Sequence, residues 1–292
     1  MKSLLVFIFS ILIAEFSFSQ EEIHTEAYNF ESWNFDWSVQ LKEAYVFADA
    51  CKLRSEPTAG SEMLAKLLIG DRVKVLGISS VDTTINGLQS KWIHVESGKK
   101  KGYVWGGLLT NEVLKMSDST SAVWGISRIV TREEEQVDYY MSLRIFSKKQ
   151  ITKQIEFEVI HADDPANGEL VMIKNPLLEG VEHIFIYNSL ADACGVTWSE
   201  VYILETDDGL QFLEEGYGIG EGALFYSSTT LIFPTKEKED DYNISYFRKP
   251  EKDQIFRVTS HDEYDESCIW TEQSKVETFE WKEGEMVPFC RQ

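Results

Sequence analysis

Cysteine is scarce in this chain. Four residues in 292, Cys51, Cys194, Cys268 and Cys290, leave no C-x-x-C pair, which excludes a zinc ribbon, a thioredoxin-type motif and a disulfide-built scaffold. Three complete pairings of the four are possible, and Cys268 with Cys290 closes the shortest loop in one β-like region. Proline (6) and glycine (18) are too few for a collagen-like or low-complexity chain. Basic residues are outnumbered, 28 against 49, and the net charge of −21 excludes a generic grip on DNA or RNA, which needs cations to displace phosphate counterions. The five histidines, His24, His94, His161, His183 and His261, are scattered, with no H-x-H and no H-E-x-x-H, so no zinc site and no other metal site is expected.

Long apolar runs are also missing. The longest, Leu4–Ala14, follows Lys2 and leads to Ser17-Phe18-Ser19, the pattern of a secretory signal peptide over residues 1–19. It is too short to span a bilayer, and no later run approaches the required length, so no membrane span is expected. The expectation is an exported protein, periplasmic or extracellular, in a compartment that permits disulfides.

What is present is β-like. After an acidic, aromatic lead-in over residues 20–43, the stretch 44–110 breaks into short β-like runs with little room for helix. Met63–Ile69 and Arg72–Ile78 flank Gly70-Asp71, read as a tight hairpin turn; Ser79–Ser90 reads as a polar loop; Lys91–Glu96 and Gly102–Gly106 flank a second hairpin at Ser97–Lys101. This predicts a small barrel. Residues 111–292 continue with runs such as Val123–Val130, Tyr139–Phe146, His183–Tyr187 and Val201–Glu205, which predict a larger all-β sandwich or barrel. Charge is uneven: residues 44–110 carry +3, residues 20–43 carry −5 and the remainder carries −19.

Within 45–109 the ordered pieces are Leu53-Arg54-Ser55-Glu56-Pro57, Gly70-Asp71-Arg72-Val73-Lys74-Val75-Leu76, Trp92 with Val95, and Gly102-Tyr103-Val104. In order and spacing this stretch resembles the bacterial SH3 domain family. It departs at Lys52, where asparagine is usual, at Glu56, where glycine is usual, and at Tyr103, where tryptophan is common. Cys51 fills a normally apolar position and reads as a small buried hydrophobe. The resemblance implies an SH3-like barrel that recognises cell-wall peptides or other extended peptides and holds a neighbouring domain in place. It implies neither catalysis nor a cofactor.

Strand alternation puts Trp92 and His94 on one side of their strand and Ile93 and Val95 on the other; Tyr103 and Trp105 likewise oppose Val104. With the aliphatic set inside, Trp92, His94, Tyr103 and Trp105 share the outer face, and Tyr45 joins them as a candidate ligand-binding residue. The partner expected is a peptidoglycan peptide or an envelope protein. A sealing role for the same rings is the competing reading.

The rival function is a cell-wall hydrolase that uses the barrel for targeting. Its motifs are missing. Cys194 is followed by Val196–Leu204, a strand pattern and not a helix start that could activate a thiol. Gly216–Gly222 precedes no helix and reads as a flexible β connection, and no G-x-S-x-G elbow occurs. No catalytic residue is assigned, and the expected function is non-catalytic binding at the bacterial cell envelope.

Overall fold

The computed structural model describes residues 43–131, 137–161, 168–189, 195–221, 225–235, 249–264 and 270–289. The leader, the lead-in up to residue 42, and Cys194, Cys268 and Cys290 lie outside them. The described residues are almost entirely strand, in three antiparallel sheets.

The first sheet comprises β1 (Glu43–Val46), β2 (Ala50–Arg54), β3 (Met63–Leu68), β4 (Arg72–Ile85), β5 (Leu88–Ser97), β6 (Lys100–Trp105) and β7 (Leu109–Thr110), in the order β3-β2-β6-β5-β4-β1-β7. Alternation along these strands sends Val46, Leu53, Val73, Ile93, Val95 and Val104 into one apolar core, and the sheet bends around it as a small barrel. Cys51 is buried in that core as a free thiol, as its apolar position implies. Burial, with Asp71 a lesser contributor, pushes the thiol up to about 12.

Two turns differ from the sequence reading. The Ser79–Ser90 stretch is not a loop: β4 runs on to Ile85 and β5 starts at Leu88, joined by Asn86 (φ 54°) and Gly87 (φ 79°). Both turn residues are left-handed, the type I′ geometry that Asn-Gly favours. Gly70-Asp71 is not a hairpin turn, because β3 pairs only with β2 while β4 pairs with β1 and β5. Gly70 (φ 67°) instead carries the chain around the barrel end, and a Cβ there would lie 2.3 Å from the Phe146 ring.

The second sheet holds β8 (Leu114–Lys115), β9 (Thr120–Thr131), β10 (Val137–Ser147) and β11 (Gln150–Val159), in the order β11-β10-β9-β8. The third is a consecutive meander of β12 (Gly168–Lys174), β13 (Val181–Ser189), β14 (Thr197–Thr206), β15 (Gly209–Glu221), β16 (Phe225–Ile232), β17 (Gln254–Tyr264), β18 (Trp270–Lys282) and β19 (Glu285–Pro288). Of the glycine-rich stretch read as a flexible connection, residues 216–221 are strand within β15, with Tyr217–Ile219 paired on both sides.

Strands β13 and β14 are packed on both faces. Phe185, Tyr187, Val201 and Ile203 join the core made with the second sheet, whereas Ile184, Ile186, Tyr202 and Leu204 join a second core with Leu231, Ile255 and Trp281. Burial on both sides explains their unbroken apolar runs, since a strand with one wet face would alternate.

Candidate functional site

The β5–β6 hairpin places the anticipated residues as alternation requires. Trp92 lies opposite Trp105 and His94 opposite Tyr103, all four on the outward face. Their environments then divide them. Trp92 and Trp105 are only 3% and 4% exposed and belong to the core formed with Trp124, Met141 and Leu143 of the second sheet. Their polar atoms are satisfied internally: Trp92 Nε1 donates to Thr83 Oγ1 (2.8 Å), and Trp105 Nε1 donates to the carbonyls of Thr83 (2.9 Å) and Ser90 (3.1 Å). Gly107 leaves room for the Trp105 ring, which a Cβ would meet at 2.4 Å. These two indoles cannot stack on a ligand in this arrangement, because they glue the barrel to its neighbour. The long β4–β5 hairpin supplies Thr83, so the segment misread as a loop is what anchors them.

His94 and Tyr103 remain half-buried at the rim of this contact, their rings stacked with centroids 4.8 Å apart and planes 25° apart. Gly77 sits opposite His94 on β4, and Arg54 opposite Tyr103 on β2. The glycine has nothing within 4 Å of where its Cβ would be, so the imidazole faces open space on that side. The next row along the strands is charged, with Lys101 3.7 Å from Glu96 and Lys74 opposite Glu96. Tyr45 also points outward, but on β1 opposite Arg72 and Thr110, with all of β4 between it and the stacked pair. The arrangement is therefore a two-ring platform bordered by Arg54 and by a mixed row of Lys74, Glu96 and Lys101, not a five-residue cluster.

A second contact fixes the barrel. Phe47, Ile69, Val123 and Phe146 form a separate apolar cluster across the junction. Arg144 lies over the Phe47 ring at 4.0 Å and donates to the Phe47 carbonyl at 2.9 Å, and Lys149 pairs with Asp71 at 2.9 Å. With two separate patches, the barrel is seated and not merely tethered.

Sequence reading missed a polar cluster between the second and third sheets. Glu205, 5% exposed on β14, accepts from Lys153 Nζ of β11 (2.9 Å) and lies 2.8 Å from His183 Nδ1 of β13. Lys153 also donates to the Thr206 carbonyl and stands 3.8 Å from Glu182. Burial pushes the Glu205 carboxyl up, but the hydrogen bonds from His183 and Lys153 outweigh it and hold the group below the usual carboxylate range. Glu182, His183 and Glu205 bring ligand atoms within 4.8 Å of one another, a separation a metal ion could bridge. The Lys153 ammonium already supplies the positive charge there, so the set reads as an ion network that clamps two sheets. The sequence carried no spacing signal for it, because its members come from three strands.

Two further carboxylates are structural. Glu215 accepts the N–H groups of Ile160 (3.0 Å) and His161 (3.1 Å), capping the end of β11, and takes the Ser199 hydroxyl. Glu200 accepts hydroxyls from Tyr202 and Thr230 where β16 departs from β15; burial first, then the Glu200 charge, holds the Tyr202 phenol well above its usual value.

The barrel is a seven-stranded sheet that carries the aromatic pair outward on its β5–β6 hairpin, an SH3-like architecture. Residues 49–110 match the family model of the bacterial SH3 domain, about a fifth of the chain. Comparison with curated proteins and with solved structures gives no match. Among the described residues, no helix is long and apolar enough to cross a membrane.

Proposed function

We propose that this is an exported, non-catalytic binding protein of the bacterial cell envelope, whose SH3 domain docks on an extended peptide of the wall or of an envelope protein. The observation that carries the reading is the stacked His94–Tyr103 pair, half-exposed on the outer face of a bacterial SH3 domain and open on the Gly77 side. Stacked rings give a peptide a flat apolar surface, and the imidazole and phenol supply directed hydrogen bonds. Arg54, Lys74 and Lys101 around them outnumber Glu96 and favour a peptide carrying carboxylates, in a domain that is mildly basic beside a strongly acidic remainder.

The test uses the full chain, because a 44–110 fragment would strip the cover from Trp92 and Trp105. Retention on purified peptidoglycan is expected for the wild type, weakened about tenfold by His94→Ala and by Arg54→Gln with the thermal transition held. Absence of wild-type retention overturns the reading. Release of soluble wall fragments by the full chain would overturn its non-catalytic part and favour the hydrolase.

A further inference from the structure

The third sheet carries a second aromatic surface, remote in sequence from the SH3 domain. Direct strand pairing sets Trp198, Gly218, Ser228 and Ser260 in one lateral row across β14 to β17, and Gly220, Tyr226 and Asp262 in the next row on the same face. Gly218 and Gly220 leave this face of β15 without side chains here, since Tyr217, Ile219 and Glu221 project from the other face. The Trp198 indole fills the first space so closely that a Cβ on Gly218 would lie 2.0 Å from it, and Tyr226 lies 3.4 Å from the Cβ position of Gly220. The two rings therefore rest on the backbone of β15, side by side, with centroids 5.7 Å apart and planes tilted by 35°. Tyr226 is 39% exposed, and Trp198, Ser228, Ser260 and Asp262 are each partly open to solvent.

Glycine weakens a strand interior, and where it recurs on one face it marks a close approach by another group. Here the approach is by two rings, laid down as a floor. From this geometry we propose that the Trp198–Tyr226 surface is a carbohydrate-binding platform for an uncharged sugar chain. A pyranose presents a face of C–H groups to the rings, and its hydroxyls meet the Ser228 and Ser260 hydroxyls and the Asp262 carboxylate, which between them donate and accept. Other ligand classes fit worse. A phosphate-bearing chain is repelled by the acidic surroundings. A quaternary ammonium seeks rings that surround it, whereas these two lie side by side and leave the serine hydroxyls without a role.

The experiment is calorimetric titration of the full chain with chitohexaose and with cellohexaose, both free of peptide, so that the result is independent of the His94–Tyr103 platform. Binding of at least one is expected, weakened about fivefold to tenfold by Tyr226→Ala and measurably by Ser260→Ala. Met63→Ala, at an exposed barrel position, is expected to leave it unchanged. Because Trp198 fills the Gly218 space, Trp198→Ala can unfold the sheet; Trp198→Phe and Tyr226→Ala, checked for an unchanged far-ultraviolet spectrum, keep the test decisive. No binding of either sugar, binding insensitive to Tyr226→Ala, or binding of tetramethylammonium in their place would overturn the proposal.

Discussion

Trp92 and Trp105 stand directly opposite each other across β5 and β6, and both indoles end in the Thr83 corner of the extended β4–β5 hairpin. Residues that would have formed half of an outer binding face are instead the seam between the barrel and the second sheet. Replacing Trp105 with alanine removes a large buried ring and its two hydrogen bonds, and is expected to cost about 3–5 kcal/mol in urea unfolding of the full chain. A cost below 1 kcal/mol would show that the seam is not closed in solution.

The hairpin tip is equally committed. Asn86 and Gly87 are both left-handed, and a Cβ at Gly87 would sit 2.7 Å from the Ile129 carbonyl oxygen. Gly87→Ala therefore combines a strained φ with a steric clash, and a loss of more than about 1 kcal/mol is expected from thermal melts. Gly98 also has a positive φ but has open space where its Cβ would go, so Gly98→Ala should cost less.

The clamp between sheets makes a prediction with pH. The Glu205 carboxyl is held below the usual carboxylate range in the folded state, so the unfolded chain takes up its proton first. Its contribution is full above the ordinary carboxylate pKa and is lost as the pH falls through the lowered folded value. Urea unfolding between pH 7 and pH 3 should show this loss, reduced in Glu205→Gln. At pH 7, Glu205→Ala strands Lys153 against a half-buried His183 and should cost about 3 kcal/mol.

Cys51 tests the barrel core. With its thiol pushed up to about 12 and the side chain buried, it should resist iodoacetamide at pH 8 in the native chain and be alkylated once urea unfolds it, with the site read by peptide mass spectrometry. The sign here is opposite to that of Glu205: the raised folded value means that stability falls as the pH rises above the unfolded thiol range. Rapid native labelling would contradict a closed core.

Much was legible in the sequence because it depends on near neighbours along the chain. Alternation of two put Ile93, Val95 and Val104 inside and Trp92, His94, Tyr103 and Trp105 outside, as observed. The unbroken runs at 183–187 and 201–205 marked strands, and Gly98 marked a turn. Asn86-Gly87 was an available hairpin signal obscured by polar flanks, whose serines and threonines suit an exposed strand as well as a loop.

Contacts across the fold were not legible, because they join residues with no periodic relation. Nothing local says that the outer face at Trp92 and Trp105 is covered while the same face at His94 and Tyr103 stays open; the seating of the barrel on β9 and β10 decides it. The same holds for Lys153, His183 and Glu205, which meet only because the second sheet carries Lys153 of β11 onto Glu205 of β14, beside His183 of β13. Alternation specifies which side of a strand a residue takes. What covers that side is set by packing between sheets, where burial of large rings outweighs any local preference.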